Sequence, residues 1–283
     1  MVHVRTARLV EPGGVVWELS DRPAPGDVER VVENVAGWYG GSGVRADVTA
    51  RIGHGDFPSR GWRESRVLTL HGVSICRDSD ARDSEERRLS GILWDGQYGE
   101  LTCDDGDAVL STGVRLDGEP QIVKVGTTAL RYQVPLRTET PFLYGPERTV
   151  FLHPVGLGRG LEYPLFSKNG VLTYGTALAE RDSITNEGNA TAYDSYLVVG
   201  DFPGGWRLTV GRKVIEWPWP TVLTAPVLVE MTGRIWIGDS NVTDRASVRQ
   251  WASLAPGTTV TPSLTPLQGG TGWAEVRHRD TYI

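Results

Sequence analysis

Along most of the chain, apolar and polar residues alternate in short runs closed by glycine, proline or aspartate. The alternation is cleanest at 44–52. Val44, Ala46, Val48, Ala50 and Ile52 fall on one side, and Arg45, Asp47, Thr49 and Arg51 on the other. A period of two predicts a strand with one wet face. Similar runs predict strands at 2–10, 15–19, 66–76, 101–103, 108–116, 121–125 and 129–137. Pro23 and Pro25 make 21–29 a loop. Asp104-Asp105-Gly106-Asp107 and Asp117-Gly118 read as turns, since Asp-Gly pairs suit left-handed backbone angles.

The period changes once, at 78–94. Ala81, Glu85, Leu89, Ile92 and Leu93 recur at helical spacing, with Arg82, Asp83, Glu86, Arg87 and Arg88 on the other faces. This predicts a helix laid on a sheet by its Leu89/Ile92/Leu93 stripe. Asp78 or Ser79 is the expected N-cap and Gly96 the stop.

Beyond the irregular stretch 151–167 the chain reads as more purely β. Strands are expected at 172–181, 193–199, 206–210, 213–217, 227–230, 234–237, 258–264 and 273–277. Turns recur about every eight to twelve residues, the spacing of a β-sandwich. A short helix is expected at 244–251, capped by Thr243. The fold class is therefore all-β with one principal helix, divided into domains 1–150 and 151–283.

Composition narrows the function. The 283 residues suffice for two domains. The formal net charge of −6 disfavours a nucleic-acid partner, which calls for a basic face. No run approaches the roughly 18 apolar residues of a membrane helix. The first ten residues lack the apolar core of a signal peptide, so synthesis and assembly in a cytoplasm are expected. In that setting the two cysteines, Cys76 and Cys103, read as reduced small hydrophobes.

Candidate chemistry is sparse. His3, His54, His71, His153 and His278 are scattered and no CxxC pair exists, so no metal site is expected. No nucleophile elbow is present. The glycine-rich stretches at 40–43 and 156–160 match no phosphate-binding loop. Asp104, Asp105 and Asp107 lack the ligand ladder of a calcium loop and read as a hairpin turn. Among 35 acidic residues, nothing selects a carboxylate pair for glycoside hydrolysis. No catalytic residue and no cofactor is expected, and the chain reads as a non-enzyme.

Two surface features remain. Six of the ten tryptophans lie in the second half. They either fill a core or an interface, or offer platforms for sugar rings. Trp217 and Trp219, in Trp217-Pro218-Trp219-Pro220, are the candidates for glycan stacking. On the helix, Arg82, Glu86 and Arg87 form either an interface or a solvated face.

Several segments together carry a family resemblance. The first half holds Gly53-His54-Gly55-Asp56, a strand from Arg66 to Gly72, one helix, and the close Thr140-Pro141-Phe142-Leu143-Tyr144-Gly145. The second holds Ile184-Thr185-Asn186-Glu187-Gly188-Asn189-Ala190-Thr191-Ala192-Tyr193, then Trp236-Ile237-Gly238-Asp239, then Leu254-Ala255-Pro256-Gly257. In this order they resemble the distal tail proteins of long-tailed bacteriophages. The closing Arg277-His278-Arg279-Asp280-Thr281-Tyr282-Ile283 resembles the termini of minor tail proteins of actinobacterial phages, and the high Arg-to-Lys ratio and the Val, Gly and Asp usage fit such a GC-rich genome.

The resemblance implies a belt, or split-barrel, domain at 1–150 and a galectin-like sandwich at 151–283. It implies a ring, usually of six copies, joining tail tube to tail tip in the virion. Partners would be the tube protein, the tip hub protein and the tape measure protein. The alternative expectation is a carbohydrate- or receptor-binding module that recognises the host envelope.

Overall fold

The computed structural model describes residues 4–46, 48–57, 61–154 and 182–283. The expected strand at 172–181 and the glycine-rich stretch at 156–160 lie outside the described residues. The chain divides into two compact units. One holds Met1–Pro146 with Tyr282–Ile283, the other Glu147–Thr281.

The first unit contains β1 (Thr6–Val10), β2 (Val16–Ser20), β3 (Val28–Ala36), β4 (Val67–Cys76), α1 (Ser79–Ser90), β5 (Gly99–Asp104), β6 (Val109–Leu116), β7 (Gln121–Val125) and β8 (Ala129–Thr138). Seven of these strands close on themselves in the order β8-β4-β3-β2-β1-β5-β6 and back to β8, with β7 added on the outer edge of β8. The closure is antiparallel except at β2–β3, where the strands run parallel and meet at the single pair Ser20–Val31. Closing a sheet leaves few edges for wrong partners. Alternate residues point inward, so Leu68 and Leu70 on β4 face Leu136 and Val134 on β8 within one core with Leu9, Trp17, Leu101 and Val114.

The helix begins where Asp78 accepts a hydrogen bond from the Ala81 N–H at 2.8 Å. It ends earlier than its periodicity suggests, at Gly91 rather than Gly96. Leu89, Ile92 and Leu93 are all buried in the core. Ile92 and Leu93 reach it from a turn in which Leu93 adopts φ 48°. The buried Glu85 is held by Arg30 in a two-point ion pair of 2.7 and 2.8 Å. It also accepts from Ser74. These bonds fasten the helix across β3 and β4.

Two features of this unit depart from the pattern. The alternation at 44–52 does not produce one half-buried strand. It yields the short pieces Val44–Arg45 and Thr49–Ala50, which pair with Trp62–Arg63 and Asp56–Phe57. Among the described residues, Val44, Val48 and Ile52 are exposed together with their polar neighbours Arg45, Thr49 and Arg51. Conversely, the pattern gives no clear sign of β3. A bulge between Val32 and Asn34 shifts its register against β4 and resets the alternation.

From there β9 (Leu143–Leu152) carries the chain into the second unit. That unit contains β10 (Ser195–Asp201), β11 (Trp206–Val210), β12 (Lys213–Trp217), β13 (Val227–Glu230), β14 (Arg234–Ile237), β15 (Ser263–Pro266) and most of β16 (Thr271–Tyr282). One sheet runs β16-β10-β13-β14 and the other β12-β11-β15, with the pair Val248–Arg249 beyond β12. Tyr196, Val198 and Ala274 from the first sheet share a core with Trp206, Leu208, Ile215 and Leu264 from the second. The expected helix at 244–251 is absent. Thr243–Arg245 forms one 3-10 turn and Val248–Arg249 joins the sheet. Thr243 is no cap, since its hydroxyl accepts from the Ile235 N–H and donates to Asn241.

Candidate interaction surfaces

The helix residues singled out by sequence behave unequally. Arg82 is half-buried and spends its guanidinium on the chain itself, donating to the carbonyls of Thr127 at 2.9 Å and Gly126 at 3.3 Å. It thereby fixes the turn between β7 and β8. Glu86 pairs with Lys124 of β7 at 2.9 Å. Arg87 alone of the three is fully exposed. Two of these side chains therefore brace the helix against its neighbouring hairpin, and one is open to a partner.

The tryptophan pair divides in the same way. Trp217 is 1% exposed and stacks on its register partner Trp206, ring centroids 6.4 Å apart. It belongs to the core between the two sheets, so it offers no face to a sugar. Gly205 lies where a side chain would collide with the Trp217 carbonyl, the Cβ position being 2.0 Å away. Trp219 is 53% exposed. Its indole N–H donates to the Arg245 carbonyl at 2.9 Å, which holds the ring in a fixed attitude.

Two of the segments that carry the family resemblance meet in each unit, while Gly53–Asp56 and Trp236–Asp239 pair elsewhere. Arg66 opens β4 and is fully buried. It donates to the carbonyls of Pro141 and Trp38, each at 2.7 Å. Its backbone exchanges hydrogen bonds with Thr138. The Thr140–Gly145 close is thus tied to the β4 strand that precedes the helix. Burial lowers the Arg66 pKa, and nearby Arg63 adds to the effect.

In the second unit Asn186 is the equivalent tie. Its side-chain amide donates to the carbonyls of Ala190 at 2.8 Å and Leu254 at 3.0 Å, and its side-chain oxygen accepts from the Gly188 N–H at 3.0 Å. Its own carbonyl accepts from Gly257. One buried asparagine therefore joins the Asn186–Ala190 turn to the Leu254–Gly257 turn.

A further cluster was invisible to sequence reasoning. His278, 1% exposed, lies with Nδ1 2.6 Å from Asp194 and Nε2 3.2 Å from Asp280. Asp280 also takes Arg148 at 2.8 Å and the Glu187 N–H at 2.6 Å. Burial alone would lower the His278 pKa. The hydrogen bonds and charges of Asp194, then Asp280, outweigh it and raise the pKa. Both ring nitrogens are occupied by carboxylates and the ring is closed from solvent, so this histidine holds structure rather than moving protons for a substrate.

Cys76 and Cys103 are free, buried thiols. Burial raises the pKa of both, which suppresses the reactive thiolate. The Asp104–Asp107 segment is a hairpin turn between β5 and β6. Asp104 accepts from Gly106 N–H, and Asp105 from Asp107 and Ala108 N–H. Gly106 supplies the φ of 91° the turn needs. Asp117-Gly118 instead turns β6 into β7, strands that do not pair with each other.

The chain shares the fold of the SPP1 Dit protein. Crystallographically that protein is described as gp 19.1, a paradigm of the hub adsorption apparatus in phages that infect Gram-positive bacteria. The match has a TM-score of 0.64 and 13% identity, covering 98% of this chain and 99% of that one. Two structures of the phage P2 baseplate in its activated conformation, with calcium and with strontium, align at a TM-score of 0.49 and 9% identity over 97% of each chain. No family model and no curated protein matches the sequence.

Proposed function

We propose that the chain is a structural protein of a bacteriophage tail, forming a ring at its distal end that joins the tail tube to the tip or baseplate hub. The observation that carries this reading is the end-to-end likeness to the SPP1 Dit fold, which spans both units and leaves neither chain with a large unmatched part. The interior agrees with a structural role. Buried Glu85 is paired with Arg30, buried His278 lies between Asp194 and Asp280, and buried Arg66 is held by backbone carbonyls.

On this reading residues 1–150 supply the ring-forming belt and 151–283 a galectin-like sandwich. About six copies associate with one another and contact the tube protein, the tip hub protein and the tape measure protein. Assembly takes place in the host cytoplasm, and the finished protein resides in the virion tail. The sequence resemblance points to an actinobacterial host. Gold-labelled antibody against this chain tests the assignment. Label at the distal tail end of virions from the source phage supports it, and label on the capsid or its absence from virions contradicts it.

A second reading rests on Trp219, exposed and held by the Arg245 carbonyl. An exposed aromatic face of this kind suits stacking on a sugar ring. Under this reading the sandwich also recognises host glycans. A glycan array without hits, together with unchanged adsorption of a Trp219→Ala phage, would remove it.

A further inference from the structure

We propose that a halide-sized anion binds at the buried guanidinium of Arg66, in a site completed by Arg63 and Ser42. The inference is independent of the tail reading, since it rests on charge balance inside the first unit.

Arg66 is 1% exposed and its guanidinium stays charged. Two of its nitrogens are occupied. Nε donates to the Pro141 carbonyl and Nη1 to the Trp38 carbonyl. The third, Nη2, is closed from solvent and has no hydrogen-bond partner among the described residues. Carbonyl dipoles orient a guanidinium without neutralising it. Buried charges are ordinarily paired, because an unpaired one keeps its whole desolvation penalty. Arg30 follows that rule by pairing with Glu85. Arg66 does not, and the charged group near enough to act on it is Arg63, of the same sign.

The neighbouring loop supplies a second orphan donor. Arg63 Nη1 donates to the Ser42 carbonyl at 3.2 Å. The short loop 38–42 therefore receives both guanidiniums, Arg66 at its first residue and Arg63 at its last. Ser42 Oγ is also buried without a partner among the described residues. Gly40 and Gly41 turn the loop, with φ 106° and 71°. A Cβ on Gly41 would lie 2.9 Å from Arg63 Nη1, so the loop approaches the guanidinium closely only because no side chain intervenes.

The chemistry selects the occupant. Guanidinium N–H and hydroxyl O–H both donate, so the ligand accepts and is negative. The same two arginines repel a metal cation. Both orphan atoms are closed to solvent, which favours a compact ion such as chloride over a carboxylate carried by another protein. Bound there, the ion fastens loop 38–42, Pro141 and the start of β4 to one point. It stabilises the first unit in proportion to how far the site is filled.

Bromide stands in for chloride and scatters anomalously. Crystals of the full chain soaked in sodium bromide are expected to show an anomalous peak within hydrogen-bond distance of Arg66 Nη2. No peak there, or bromide at exposed arginines as an adventitious ion only, overturns the proposal. In solution, the thermal midpoint is expected to rise saturably as sodium chloride replaces sodium gluconate at constant ionic strength. Ser42 is half-buried and Arg63 exposed, so Ser42→Ala and Arg63→Gln leave the core intact. Each is expected to need several-fold more chloride for the half-maximal rise. Equal midpoints in chloride and gluconate, or an unchanged chloride dependence in either variant, refute the site.

Discussion

His278 places its Nδ1 2.6 Å from Asp194 Oδ1 inside the second unit, across 84 residues of sequence. In its protonated form the ring offsets the charge of two neighbouring carboxylates at that depth, with Asp280 on the other ring nitrogen. Tyr196 adds a hydroxyl to Asp194, and Arg148 shares Asp280.

The sign of the pH dependence follows from this arrangement. The His278 pKa is raised above its ordinary value of 6.5 in the folded protein. Its contribution to stability is therefore complete below about pH 6.5 and is lost as pH rises through the elevated folded pKa. The thermal stability of the second unit should fall as pH rises through that interval. The His278→Gln variant should be less stable at pH 6 and lack this part of the slope. Calorimetry of both proteins from pH 6 to 9 checks this, and parallel pH profiles would contradict it.

Asp194→Asn leaves a buried imidazole with half its compensation. Breaking a buried ion pair from one side costs about 3–5 kcal/mol. A urea midpoint shift of that order, without change in the spectroscopic signature of the first unit, is the expected outcome.

Gly188 tests how the Asn186–Ala190 turn is seated on β16. A Cβ there would lie 2.0 Å from the Thr281 carbonyl oxygen, a backbone atom of β16. Gly188→Ala should destabilise the second unit by about 1–3 kcal/mol or more, as overpacking does. Chemical denaturation of the variant reads this directly.

The two tryptophans should separate cleanly. Trp217→Ala removes half of a stacked core pair and should cost about 3–5 kcal/mol. Trp219→Ala should change stability little, because its ring is largely in solvent. A Trp219 variant that loses host adsorption while keeping its unfolding midpoint would favour the glycan reading.

On the helix, Arg82→Ala releases two turn carbonyls and should lower stability by about 1–2 kcal/mol. Arg87→Ala should stay within about 0.5 kcal/mol, as exposed substitutions usually do. Denaturant midpoints of the two variants distinguish bracing from free surface.

Much of this architecture was legible because each element declares itself locally. The Leu89/Ile92/Leu93 stripe, the Asp78 cap and the alternation of 206–210 and 213–217 depend only on neighbours in the chain. What escaped depends on distant partners. The bulge in β3 is a property of its register with β4. The clean alternation at 44–52 fixes which residues share a side, but not whether any sheet lies beneath them. The spacing of Ala246, Val248 and Trp251 suits a helix turn or a strand, and the pairing with β12 decides for the strand. His278 offered no signal, since its partners Asp194 and Arg148 lie far away in sequence. Trp217 and Trp219 are neighbours in sequence with opposite fates, which composition alone could not separate.

The central claim is a closed ring. Light scattering of the purified chain, with negative-stain images of the same sample, measures it most directly. The account predicts a particle with a central hole and a mass near six times the 31.0 kDa subunit, about 186 kDa. A 31.0 kDa monomer at every concentration, both alone and mixed with the tube and tip proteins of the same phage, would contradict it.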